Sequence, residues 1–395
     1  MKFTIPIPAG LESVRQDALK ALGPVIPSNS KTQAEKNFLL ISKRSSAGRN
    51  LPPYYLVYFL LVDFLGFKNL GQWEKIAWSV PIDFNGEAYL IEHRKFGVGV
   101  FVRDPLTQED SAEKIVEHIN KAVNVSQPFF DWLATQAMDQ SKVNVVNNSE
   151  KLFQRYEYLL GLYLEKLAEA ERRKDDHIVE EGKSSGGSWQ KISYPSHVLH
   201  KESEWLAISA IEAFFSWSEH ALIHVAILIG NISTARSVAD IAKANWSDKC
   251  KAALDITSPI DKLIYDKMLT MRDELRNYVA HGAFGKQGED FSFHSGAGAV
   301  PVLLPHKLKG RTFTLGSGLV FNLPAALSLT EEFIKVLWSG RRAPARIYIQ
   351  DSQLPIILTH AADGSYTRAM ASIKHMDDFI SELTEEWDRA ANMDW

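Results

Sequence analysis

The chain has 395 residues, a formal net charge of −4 and the apolar and charged fractions of a globular protein, so two or three domains are expected. Its one cysteine, Cys250, excludes a disulfide framework and a cysteine-built metal centre within one chain, which fits a reducing cytoplasm. The weakly acidic balance gives no global attraction to nucleic acid, so any such binding must come from local basic patches.

The opening MKFTIPIPAGLESVR has early prolines and no continuous apolar run, so no signal peptide is expected. Residues 1–147 read as an α+β domain. NFLLIS reads as a short strand and Tyr54 to Phe67 as a buried helix, too short for a membrane and interrupted by Asp63. The Asn85-Gly86 pair predicts a tight hairpin between two alternating segments, with a weaker turn at His93 to Lys95 before FGVGVFV. Three antiparallel strands are expected, followed by helices near 108–124 and 126–139.

Residues 148–195 read as a long helix and a linker. Asn147-Asn148-Ser149 caps a helix from about 150 to 172, whose apolar positions recur at three and four. The following EAERRKDDHIVEEGKSSGGS is charged and then Gly/Ser-rich, the composition of a solvated loop or linker. Residues 196–340 begin with three helices, to about Gly230, from Ser233-Thr234 to about 245, and from Asp255–Pro259 to about 281. The run from Trp205 to Gly230 is long enough to span a bilayer. Glu212, Glu219, His220 and His224 interrupt it, so it reads as a core helix with no membrane role. DFSFHS, AVPVLLP and FTLGSGLVF read as strands, and Asn322 to Leu337 returns to helix. In 341–395, ARIYIQ and LPIILTHAADGSY read as a hairpin turning at Asp363-Gly364, with a final helix from about 373.

The segment RNYVAHG, Arg276 to Gly282, stands out. On a helical wheel at about 100° per residue, Ile264, Met268, Met271, Leu275 and Val279 form one core stripe. Asn277 and His281 lie roughly opposite it with Thr270, Asp273 and Glu274, and Gly282 suits a left-handed helix end. Arg276 lies between the faces, and its long side chain can reach the polar one. Arginine and histidine at a helix C-terminus also complement the helix dipole, which is the ordinary role of such residues.

R-N-x-x-x-H at the end of a helix resembles the signature of the HEPN superfamily, matched here by Arg276, Asn277 and His281. The resemblance spans roughly 196–340 and leaves 1–147 and the C-terminal hairpin unexplained. It implies a mainly α fold with a HEPN-like helical bundle in the C-terminal half, carrying β-hairpin insertions. It also implies a metal-independent endoribonuclease, of the kind used as a toxin or in antiviral defence, with Arg276, Asn277 and His281 as catalytic residues and no cofactor. The chemistry suits those residue types. The RNA 2′-OH attacks the adjacent phosphorus, histidine moves a proton near neutrality, and arginine stabilises phosphate charge through paired hydrogen bonds. One histidine cannot be acid and base in the same step, so a homodimer that brings two Arg/His sets into one cleft is expected. The alternative is a HEPN-fold scaffold that binds a nucleotide, RNA or a partner protein without cleaving. A third reading has Tyr278 as the target of nucleotidyl modification, with a separate antitoxin.

Glu219 and Glu212 share one face of the preceding helix. Glu219 is a candidate partner for Arg276 or His281, or one half of a structural ion pair. His220 and His224 have a spacing that can hold a metal, but no third ligand follows, so no metal site is assigned. Lys307, Lys309 and Arg311, then Arg341, Arg342 and Arg346, form basic clusters that could contact phosphates of RNA, tRNA included. The N-terminal domain is then a sensor, a dimerisation element or an RNA-selecting module.

Overall fold

The computed structural model describes residues 8–184, 186–280, 289–296, 298–303, 314–315 and 322–393, with backbone alone at 184, 277–280, 289–293, 301, 303 and 314–315. The chain is mainly helical and divides into two compact units, residues 1–140 with 381–395, and residues 141–380. Among the described residues no helix is long and apolar enough to cross a membrane.

The first unit is built on an antiparallel sheet. Its elements are α1 (Glu12–Leu22), β1 (Val25–Pro27), α2 (Phe38–Ile41), β2 (Lys43–Arg44), α3 (Tyr54–Tyr58), β3 (Ile76–Phe84), β4 (Glu87–Arg94), β5 (Gly97–Val102), α4 (Pro105–Val125) and α5 (Gln127–Asp139), with strand order β1-β3-β4-β5-β2. Both expected hairpins are present. Asn85 and Gly86 have φ of 55° and 86°, the backbone that a two-residue turn matching strand twist requires. Alternation then decides the faces. Val80, Ile82, Tyr89, Ile91, Val100 and Val102 point into the main core with the helices, while Phe38, Leu90 and Phe101 cluster on the other side. On that second face the buried Glu92 accepts from Ser79 at 2.7 Å and takes Arg94 at 2.6 Å, and the Arg94 guanidinium lies 3.9 Å from the Phe101 ring centre. The apolar run NFLLIS is a single helical turn, α2, and not a strand. Tyr54 to Phe67 is helical as expected but widens after Tyr58 into a π turn, with the Leu65 N–H bonding to the Leu60 carbonyl at 3.0 Å.

The second unit comprises β6 (Asn144–Val145), α6 (Ser149–Arg172), β7 (Ile178–Ser184), β8 (Gly187–Ser193), α7 (Pro195–Leu228), α8 (Ala235–Lys243), α9 (Trp246–Ala253), α10 (Pro259–Ala280), β9 (Glu289–Ser295), β10 (Gly298–Leu303), β11 (Thr314–Leu315), α11 (Leu323–Leu337), α12 (Ala343–Arg346), β12 (Ile356–Ile357), α13 (Leu358–Ala362), α14 (Ser365–Ala369) and α15 (Ile373–Asn392), whose last residues group with the first unit. The 34-residue α7 is its centre, with buried residues around most of its circumference from Ala207 to Leu228. Buried tryptophans each find a hydroxyl one helix away. Trp217 Nε1 donates to Ser149 Oγ at 3.0 Å, and Trp246 Nε1 donates to Ser218 Oγ at 2.9 Å. Phe214 meets Trp217 and Phe333, and Tyr156 shares a 2.9 Å hydrogen bond with Thr330. The long helix at 149–172 is thus part of the bundle and not a separate segment.

The charged, Gly/Ser-rich linker folds as the hairpin β7–β8, in which Gly182 leaves room for the Trp189 ring across the strand. ARIYIQ is helical, α12 running into a π turn over Ile347–Ser352, because Ala345, Tyr348 and Ile349 are buried along one helical face. LPIILTHAADGSY supplies two residues of strand, paired with Asn144–Val145, and then two short helices joined at Asp363-Gly364. The boundary proposed at 341 does not separate a unit, since 341–380 groups with 141–340. Of the strands expected after α10, DFSFHS and AVPVLLP fall on β9 and β10, and FTLGSGLVF is described only at Thr314–Leu315, β11, which pairs with β10; the rest of that segment lies outside the described residues.

Gly48 sits against the sheet so closely that an added Cβ would lie 2.6 Å from the Val100 backbone nitrogen. Gly48→Ala is therefore expected to destabilise the first unit by about 1–3 kcal/mol in urea unfolding, the usual cost of forcing extra atoms into a packed site.

Candidate functional site at the end of α10

The helix that carries the quoted segment forms as expected. Pro259 takes its first turn, and Ile264, Met268, Met271 and Leu275 are buried, at the spacing read from the sequence. Thr270, Asp273, Glu274 and Arg276 are exposed. Val279 and Asn277 lie on the helix, with their side chains outside the described residues. His281, Gly282, Lys307, Lys309 and Arg311 also lie outside the described residues. The described part of the motif is therefore the Arg276 position, in the last turns of a helix fixed by four buried apolar side chains.

Two charged contacts fix this helix. At its start, Asp261 and Arg342 form a buried two-pronged pair at 2.7 and 2.9 Å, and Asp261 also accepts the Asp255 N–H at 3.1 Å. Arg342 further donates to the carbonyls of Val336 and Leu337 at 2.8 and 3.1 Å, which closes the free end of α11. The guanidinium is consumed by these contacts at 5 % exposure, so Arg342 is a structural residue and not an RNA contact. Its neighbour Arg341 is exposed, as is Arg346.

Further along, Glu219 of α7 reaches α10, but its partner is Arg272, at 3.3 Å, one turn before Arg276. The other Glu219 oxygen takes Lys249 of α9 at 2.6 Å, with the Lys249 side chain only 6 % exposed. One carboxylate thereby ties α7, α9 and α10 together and faces two cations. Lys249 gave no signal in the sequence, because nothing in the short helix WSDKCKAA marks its lysine as buried. Glu212 is exposed on α7, so the face shared by the two glutamates is not a buried acidic face.

Beside α10, Lys267 bridges to Glu332 of α11 at 3.1 Å. Between these helices lies a groove of about 430 Å³ lined by Leu263, Thr270, Glu274, Asn322, Ala325 and Leu329. Cys250 is fully buried and its thiol is pushed up to about 12 by burial, which suits a core residue and not a nucleophile.

The paired histidines are structural. His220 Nε2 accepts the Asn148 N–H at 2.9 Å at the start of α6, and His224 Nδ1 lies 2.9 Å from the His220 carbonyl oxygen. Among the described residues no group of three metal-ligating side chains forms around them or elsewhere. Burial, with the neighbouring His224, pushes His220 down to about 3, and burial pushes His224 down to about 4.

Comparison of the chain with protein-family models, curated proteins and solved structures finds no match.

The histidine pair sets an acid limit on stability. Both are neutral when folded and titrate near 6.5 when unfolded, so the unfolded state gains protons that the folded state refuses as pH falls below about 6.5. Stability is expected to be level in this respect above neutrality. Between pH 6.5 and 5 it should fall by up to about 1.4 kcal/mol per pH unit for each histidine. Urea titrations of wild type and of His220→Gln/His224→Leu across that window check this, with the smaller slope expected in the double variant. Asp261→Ala should cost about 3–5 kcal/mol by leaving the Arg342 charge buried alone, read as a lowered thermal midpoint.

Proposed function

We propose that this chain is a metal-independent endoribonuclease of HEPN type, acting as a homodimer, with Arg276, Asn277 and His281 at its catalytic centre. The reading rests on the sequence motif R-N-x-x-x-H, supported by the exposed Arg276 in the last turns of a helix that buries Ile264, Met268, Met271 and Leu275. A rigid helix presenting an exposed arginine is a suitable platform for a phosphate site. The buried Asp261–Arg342 pair and the Glu219 contacts add to that rigidity.

In the proposed reaction the 2′-oxygen attacks the adjacent phosphorus and expels the 5′-oxygen of the next nucleotide. His281 of one protomer takes or gives the proton, and its symmetry mate serves the opposite step. Arg276 holds the non-bridging phosphate oxygens as charge accumulates on them. Asn277 orients the phosphate or the imidazole. A cell carrying such an enzyme must control it, which fits a role as a toxin or in antiviral defence, and a control partner or sensor region.

The test is cleavage of labelled tRNA and total RNA by purified protein in excess EDTA. Wild type should cleave. Arg276→Ala and His281→Ala should each lose at least about a hundredfold in rate while keeping the wild-type thermal midpoint and sedimentation as a dimer. Cleavage that persists in both folded variants contradicts the assignment of residues. Binding of RNA without cleavage by wild type contradicts the enzyme reading and leaves a binding protein.

A further inference from the structure

Glu219 faces two cations and can balance only one of them. Lys249 is the closer, at 2.6 Å, and is almost wholly buried, so it takes the carboxylate as its counter-charge. Arg272 offers a single Nη2–H to the other oxygen at 3.3 Å, and its side chain is 38 % exposed. A guanidinium carries five N–H donors. The Phe215 ring, centred 5.6 Å from the Arg272 guanidinium carbon, limits where the group can swing. The result is a held, solvent-facing guanidinium whose positive charge is not neutralised by its neighbour.

Its position gives that charge a use. Arg272 and Arg276 are four residues apart on α10, so they share one face, separated by about 6 Å along the axis. Successive phosphates of a single strand lie at a comparable spacing. Asp273 lies three residues before Arg276, about 60° away around the helix, and Glu274 lines the groove toward α11; among the described residues neither forms an ion pair with Arg272 or Arg276.

We infer that Arg272 is a phosphate-binding residue of the RNA site, holding the phosphate adjacent to the one held by Arg276. This rests on the ribonuclease reading above. Glu219 and Lys249 are then positioning residues, since they aim the Arg272 guanidinium and touch no RNA.

The experiment measures binding of a fluorescein-labelled, fully 2′-O-methylated single-stranded RNA, which cannot be cleaved, to full-length protein across a salt series, with cleavage of unmodified RNA in EDTA alongside. Arg272→Gln should weaken binding about tenfold and reduce the slope of log K against log salt by about 0.7, the value for one lost phosphate contact on a single strand. Arg272→Lys should keep most of the affinity and slope. Glu219→Gln, which loosens the aim of Arg272 without removing its charge, should weaken binding less than Arg272→Gln and keep the wild-type salt slope. If Arg272→Gln matches wild type in affinity and slope while Arg276→Ala weakens both, the inference is overturned and the nuclease reading stands. Equal weakening in Arg272→Gln and Glu219→Gln, matched by equal losses in thermal midpoint, also overturns it and leaves Arg272 as a structural tie. Wild type that neither binds nor cleaves RNA overturns the ribonuclease reading, and this inference with it.

Discussion

The second unit follows from the need to cover α7 on all sides. A 34-residue helix with apolar residues around most of its circumference cannot leave one face in water. Each full side-chain burial is worth roughly 1.5–3 kcal/mol. α6, α9 and α11 supply the cover, their aromatic side chains interlocking around Phe214 and Phe215, and α10 packs in turn on α9 and α11. The polar atoms carried into that core are met one by one, with indole N–H groups on serines and a tyrosine hydroxyl on Thr330. α10 is therefore positioned by its apolar stripe first, and the proposed site is what its last turns present.

Charge refines that placement. The Asp261–Arg342 pair is buried and fully hydrogen-bonded, the condition under which such a pair holds a unique geometry without leaving an unmet charge. It locks the start of α10 to the end of α11. The Glu219 contacts lock its later turns to α7 and α9. Between them the helix has little freedom to shift along its axis, which a phosphate site requires, since a displacement of about 1 Å in a catalytic group can cost two orders of magnitude in rate.

Much of this was legible in the sequence where local chemistry decides. Asn85-Gly86 announced its hairpin because few other pairs accept positive φ at both positions. The α10 stripe was readable because one face of that helix is buried and the other is not. Tertiary context overrode the rest. NFLLIS and ARIYIQ have strand-like composition, yet one caps a sheet face through Phe38 and the other buries Ala345, Tyr348 and Ile349 along a helical face. The charged stretch after α6 pairs with itself as a hairpin, stabilised by cross-strand contacts that composition does not encode. Arg342 looked like part of a basic patch because its partner, Asp261, lies 81 residues away. Of the two readings of Glu219, the structure shows the ion pair: it meets α10 one turn before Arg276, at Arg272, with the unsignalled Lys249 on its other oxygen.

In the proposed reaction the end of α10 serves RNA cleavage by the RNA's own 2′-oxygen. The most direct measurement is the chemistry of the ends left when full-length protein is incubated with a defined RNA in EDTA, read by mass spectrometry. Attack by the 2′-oxygen leaves a 2′,3′-cyclic phosphate on one fragment and a free 5′-hydroxyl on the other. Fragments bearing a 5′-phosphate and a 3′-hydroxyl would contradict it, because water and not the neighbouring hydroxyl would then have been the nucleophile.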